Sequence, residues 1–161
     1  MASGCFWGRE FYLRKLPGVI STRTGFMGGT VANPTYQQVC TKVTGHAETV
    51  EVVYDASILS THALLVEFFT LHDFTVDRSR NGGQYRSAIF LPPNDKHALE
   101  QEQTALKILA KLRANDFSLA TELWKDAIFY PADNRHQQYC SSKGMVPKRR
   151  GAGVIRKILT L

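Results

Sequence analysis

The sequence predicts an α+β fold, a mostly antiparallel sheet with helices on one face. Three observations predict it. The spacing of apolar residues alternates along the chain between helical and strand-like periods, in the order helix, strand, strand, helix, strand, helix, strand. The 161 residues, 43% hydrophobic and 21% charged, suit a single domain with one sizeable core. There is no internal repeat or low-complexity stretch, and no apolar run approaches the length of a membrane helix.

The elements follow from local chemistry. Phe6, Trp7, Phe11, Leu13 and Leu16 recur at helical spacing until Pro17-Gly18 stops them. Val19 to Phe26 alternates as a strand and ends at Gly28-Gly29. Residues 30–44, punctuated by Asn33-Pro34, form a loop or short helix. Valine-rich Glu48 to Tyr54 is a strand. Ser60 caps a helix through Leu71, with Leu64, Leu65, Phe68 and Phe69 on or near one face. Polar residues 73–83 form a loop. Gln84 to Leu91 is a strand stopped by Pro92-Pro93, and Asn94 to Leu112 a helix capped by Asn94 or Asp95. Residues 119–130 mix strand-like and aromatic positions, and 132–142 form a short helix. Only Met1-Ala2-Ser3 is available as a first strand, which would complete a split βαβ arrangement.

Charge divides the chain into a balanced body, residues 1–142, expected to carry any chemistry, and a basic tail, 143–161. The net charge is +6, and the tail holds Lys143, Lys148, Arg149, Arg150, Arg156 and Lys157 with no acid. The other 14 basic residues balance the 14 acidic ones, so a nucleic-acid role would have to reside in the tail, which reads instead as a solvated extension. The motif at Gly4 leaves no room for a secretory leader. Cys5, Cys40 and Cys140 are odd in number and widely spaced, which argues against a disulfide scaffold or zinc site and for a reducing cytoplasm. No phosphate loop or dinucleotide fingerprint is present.

Four segments carry chemistry. In Gly4-Cys5-Phe6-Trp7-Gly8-Arg9-Glu10 a thiol stands at a helix start, where unpaired amides and the backbone dipole favour the nucleophilic thiolate. Phe6 and Trp7 offer it an apolar surface. Glu48 lies at the mouth of an apolar strand, where desolvation would hold its carboxyl protonated as an acid. In Gly82-Gly83-Gln84-Tyr85-Arg86-Ser87 the phenol of Tyr85 can donate to a developing oxyanion; Tyr36 is a similar case. Asp133 and His136 raise a Cys–His pairing with Cys5, against an exposed helix histidine as the alternative.

Taken together these segments resemble the A-type peptide methionine sulfoxide reductases, which act on the S epimer. The resemblance runs through Gly4-Cys5-Phe6-Trp7-Gly8, Leu16-Pro17-Gly18-Val19, Asn33-Pro34-Thr35-Tyr36, Gly45-His46-Ala47-Glu48, His72-Asp73, Gln84-Tyr85-Arg86-Ser87-Ala88-Ile89-Phe90 and His136-Gln137-Gln138-Tyr139. It implies a ferredoxin-like two-layer sandwich with long loop and terminal extensions. Cys5 would attack the sulfoxide sulfur, Glu48 protonate the departing oxygen, Tyr36 and Tyr85 hydrogen-bond it, and Phe6 and Trp7 hold the substrate methyl group. Methionine would leave a sulfenic acid on Cys5, which a second thiol and then thioredoxin or another thiol reductant would recycle. No metal or organic cofactor is implied. Partners would be oxidised proteins or free methionine sulfoxide, not nucleic acid or membrane, and the chain would act as a monomer.

The chain departs from the family pattern in three places. Many members have a longer loop before the Gln-Tyr-Arg-Ser motif, with an aspartate five residues before the tyrosine; here that position is Arg80, and Asp77, or else Asp73, is the expected substitute. Many have a glycine-rich tail with recycling cysteines. Here the tail has none, which leaves Cys140 as the resolving candidate, while Cys40 stands where the family often has a non-catalytic cysteine. The stretch before Cys5 is short. A degenerate relative that only binds peptides is the competing reading.

Overall fold

The computed structural model describes every residue except Asn94. Strand β1 (Ala2–Ser3), helix α1 (Phe6–Leu13), β2 (Val19–Met27), α2 (Tyr36–Cys40), β3 (Ala47–Tyr54), α3 (Thr61–Thr70) and β4 (Ser87–Phe90) build the body. They are followed by α4 (Ala98–Arg113), β5 (Glu122–Trp124), β6 (Tyr130–Pro131), α5 (Tyr139–Ser142) and α6 (Gly153–Thr160). The strands pair as β1-β4-β5 and β3-β2-β6, all antiparallel except β4 with β5. Reciprocal 2.9 Å bonds between the backbones of Met1 and Val50 join the two sheets, so the spatial order is β6-β2-β3-β1-β4-β5. The two-residue β1 therefore does complete the split arrangement.

Packing explains the elements. Phe6 and Leu13 of α1 bury against Phe26 of β2, Val50 of β3 and Leu64 of α3. On the other flank of α3, Phe68 and Phe69 bury with Ile89 of β4 and Ile108 and Leu112 of α4. Helix α3 is thus enclosed on most sides, which is why it is apolar nearly all round. Its predicted cap is present, the Ala63 N–H donating to Ser60 Oγ at 3.1 Å.

Several boundaries differ from expectation. The first helix stops at Leu13, one turn early, and the chain turns through residues 14–18. Strand β4 begins only at Ser87. Gly82 and Gly83 take left-handed backbone angles (φ 73° and 68°), folding Gln84 and Tyr85 out of the sheet. A Cβ at Gly83 would meet the Arg86 guanidinium at 2.6 Å, and that guanidinium ties the loop by donating to the carbonyls of Gly83 and Gly45. Helix α4 starts at Ala98; an Asn94 cap lies outside the described residues, and Asp95 instead accepts from the His97 N–H. Residues 132–142 break into a 3-10 turn and α5, because Gln138 adopts φ 51° between them.

The basic tail is not the solvated extension expected of it. Glu67, buried on α3, receives Arg149 at 2.5 Å and Arg156 at 2.6 Å, and Arg150 pairs with Asp73. The Tyr12 hydroxyl donates to the Pro147 carbonyl, and Arg149 lies over the Tyr12 ring. Leu159, 1% exposed, enters the core beside α3 and α4. Charge patterning pointed outward here because the acids that receive these arginines are distant in sequence. Leu159→Ala should therefore destabilise the protein by about 2–4 kcal/mol in urea unfolding, the range for a truncated core leucine. A loss under about 0.5 kcal/mol would mean that α6 is not part of the core.

Candidate active site

The site forms where the first turn of α1, the start of β3 and the loop before β4 meet. Gly4 (φ 96°) turns the chain sharply from β1 into α1, leaving Cys5 as the N-cap residue with an exposed side chain. Residue pairing then sets the carboxyl. In the β2–β3 ladder Phe26 faces Glu48, and the Glu48 N–H donates to the Gln84 carbonyl at 2.9 Å. Glu48 is 1% exposed. Its Oε2 accepts the Phe6 N–H at 2.9 Å, and its Oε1 accepts from Gln84 Nε2 at 3.0 Å. Cys5 and Glu48 are therefore tied through the backbone of the residue that follows the cysteine.

Burial raises the Glu48 pKa above the ordinary carboxylate value, overcoming the opposing effect of the Phe6 and Gln84 donors. The thiol departs from expectation. Cys5 is raised, first by desolvation and then by the Glu48 charge, which outweigh the Trp7 and Gly8 amides and Arg9. A helix start alone was a poor guide because desolvation, and after it the nearby carboxylate, act against it. Protonating Glu48 removes that repulsion, so the thiolate forms more readily beside a neutral acid than beside a charged one.

The phenols stand around this pair. Burial pushes Tyr85 up to about 12, with further contributions from Glu48, Cys5 and Cys40, so it stays a donor at neutral pH. Tyr36 is raised by burial, by a hydrogen bond with Cys40 and by Glu48. Gln84 Nε2, besides Glu48, lies 3.4 Å from the Tyr85 hydroxyl and 3.6 Å from Cys40 Sγ. The aromatic residues cluster: Phe6 and Trp7 each lie 6.3 Å from the Tyr36 ring, centroid to centroid, and Trp7 stacks on Tyr139 at 3.9 Å.

The other sequence candidates divide. His136 does not pair with Cys5. Its Nδ1 accepts from Trp7 Nε1 at 3.2 Å and its ring packs 4.3 Å from Tyr36, which makes it part of the aromatic cage. Asp77 is exposed, and its Oδ1 accepts from the Ser79 N–H and hydroxyl in a local turn. Asp73 pairs with Arg150. Neither reaches the cysteine–glutamate pair through these bonds. Cys140, 4% exposed, lies in α5 and senses Glu10, which is more than a turn along α1 from Cys5. Cys40 is exposed beside Tyr36 and Gln84. Gln84 itself was missed as a site residue: its contact with Glu48 is made by the loop before β4 reaching β3 across 36 residues, for which the local sequence carries no signal.

The family model described as peptide methionine sulfoxide reductase matches residues 1–152. The chain belongs to this family. It is 43% identical over 148 residues to the peptide methionine sulfoxide reductase MsrA of Methanoculleus marisnigri, covering 88% of this chain and 87% of that one. To the MsrA of Methanothermobacter thermautotrophicus it is 41% identical over 155 residues, covering 92% and 86%. Among solved structures, methionine sulfoxide reductase A of Corynebacterium diphtheriae superposes with a TM-score of 0.74 at 35% identity, covering 89% of this chain and 73% of that one. Reduced Mxr1 of Saccharomyces cerevisiae gives 0.77 at 25% identity, covering 93% and 90%. The α+β fold and the oxidoreductase class thus agree with the sequence reading. Among the described residues no helix is long and apolar enough to cross a membrane.

The buried acid has a measurable consequence. The folded chain keeps the Glu48 proton above 4.5, the ordinary value at which the unfolded chain releases it. Between 4.5 and the pH at which the buried acid ionises, the folded state binds more protons, so this contribution to stability is full below 4.5 and is lost as pH rises. Glu48→Gln lacks it. The stability of the wild type relative to Glu48→Gln should therefore fall across that window in urea titrations; a difference independent of pH would contradict a raised Glu48.

Proposed function

We propose that the chain reduces methionine-S-sulfoxide, free or within oxidised proteins, through a sulfenic acid on Cys5, and so repairs oxidised methionine. The observation that carries this reading is the buried Glu48 carboxyl held by the amide next to Cys5, 2.9 Å from Phe6 N. The Cys5 thiolate attacks the sulfoxide sulfur. Glu48 gives its proton to the sulfoxide oxygen, and the Tyr36 and Tyr85 hydroxyls donate to that oxygen as its charge develops. Phe6 and Trp7 enclose the methyl group, an apolar contact worth about 1–3 kcal/mol. The protonated oxygen then passes to the Cys5 sulfur as the substrate S–O bond and the new sulfur–sulfur bond break, so methionine departs reduced and Cys5 is left oxidised as sulfenic acid. Gln84 orients Glu48; after the proton leaves, its amide is a ready donor to the carboxylate.

Recycling needs a second thiol, which displaces the hydroxyl from Cys5 as water and leaves a disulfide for a dithiol reductant such as thioredoxin. Cys140, the candidate from sequence, is buried in α5 and would need that helix to open. Cys40 is exposed and shares Gln84 and Tyr36 with the reacting groups, so it is the better resolving candidate.

Assays of both sulfoxide epimers with dithiothreitol and with thioredoxin test this reading. The S epimer should be reduced and the R epimer spared. Cys5→Ser should abolish turnover with either reductant, and full activity in that variant would refute its role. Glu48→Gln should lower the rate of the sulfoxide step by roughly a hundredfold or more, the usual contribution of a general acid; an unchanged rate would remove Glu48 from the mechanism. Cys40→Ser should keep the first turnover and lose thioredoxin-driven cycling. If Cys140→Ser shows that loss instead, Cys140 is the resolving residue.

A further inference from the structure

A groove of about 680 Å³ opens at the aromatic cluster that follows Cys5 in α1, with Trp7, Tyr36, Cys40 and Tyr139 among the residues that line it. Its charge is not required by the reaction. Arg135 and Lys143 line it, and no aspartate or glutamate does. Among the described residues neither cation forms an ion pair, whereas Arg149, Arg150 and Arg156 are each paired with a carboxylate. Asp133, the acid nearest in sequence, is exposed; it acts on His136 oppositely to Arg135.

A second observation in the same groove points to a ligand. His136, 4% exposed, also lines it. Its Nδ1 accepts from Trp7 Nε1, so the neutral ring carries its proton on Nε2, and that buried atom has no hydrogen-bond partner. The unpaired donor lines the same groove as the two unpaired cations, an arrangement that suits an acceptor oxygen from a bound molecule. Aromatic walls of low polarity strengthen the field of the cations at the groove mouth.

We propose that this groove selects substrates in which acidic side chains flank the methionine sulfoxide, with Arg135 and Lys143 as specificity-determining residues. The proposal rests on the reductase reading and names the substrate class it favours. The flanking carboxylates meet the two cations at the rim, while backbone or side-chain oxygen of the peptide supplies the acceptor for His136. The contacts at the rim are solvent-exposed, so they act modestly and are screened by salt.

The test compares kcat/KM for three capped peptides of equal length, with methionine-S-sulfoxide flanked by Glu, Gln or Lys, in excess dithiothreitol at about 20 mM and about 0.5 M salt. The Glu peptide should exceed the Lys peptide by about fivefold at low salt, the size expected of two exposed ion pairs, and by under about twofold at high salt. Arg135→Glu combined with Lys143→Glu should invert the preference; because the readout is a ratio within one preparation, partial loss of folded protein does not affect it. Equal rates for all three peptides, or a preference unmoved by charge reversal, would overturn the charge selection alone. No reduction of any of them would overturn the reductase reading and this proposal with it.

Discussion

One hydrogen bond organises the site: the Phe6 amide donating to the buried carboxyl of Glu48 at 2.9 Å. It ties the first turn of α1 to β3 and fixes the acid one residue away from the nucleophile. The burial that surrounds it sets the charges of the pair. Desolvation pushes Glu48 toward its neutral form, and a charged Glu48 pushes Cys5 toward its own neutral form. The low-polarity enclosure therefore disfavours two negative charges, so the thiolate forms more readily when Glu48 is neutral.

The surrounding structure holds that bond in place. The Glu48 N–H pairs with the Gln84 carbonyl, and Arg86 closes the loop that carries Gln84. On the far side α1 is braced by the tail, through Pro147, which contacts Tyr12 and lies 3.3 Å from a Cβ placed at Gly8. The tail in turn is anchored by Glu67, whose buried carboxylate would be costly without both arginines. The basic segment thus serves positioning of the helix that bears Cys5, and the unpaired cations near the chemistry are others, Arg135 and Lys143.

The parts of this arrangement that were legible in sequence are those set by local chemistry. Cys5 as helix cap, the Ser60 cap, the valine-rich β3 and the apolar α3 follow from spacing and from residue type. Glu48 and the two tyrosines were legible as chemistry, and their convergence followed only from the family resemblance. What was not legible depends on long-range pairing. Glu67 was silent until Arg149 and Arg156 arrived from 82 and 89 residues away. The direction of the Cys5 shift was misread because it is set first by desolvation and then by a carboxylate 43 residues on, and local sequence shows neither. Asp77 was preferred as a substitute for a missing loop acid, but an aspartate two residues before a serine satisfies itself in a local turn, as it does here with Ser79.

The most direct test of the account is a carboxyl ¹³C titration of the protein labelled at glutamate, with the Glu48 resonance assigned by its loss in Glu48→Gln. The account predicts a Glu48 midpoint above the ordinary 4.5, with the carboxyl still partly protonated where solvent-exposed glutamates are fully ionised. A midpoint at or below 4.5 would contradict it, because the group beside Cys5 would then be a permanent anion and no acid.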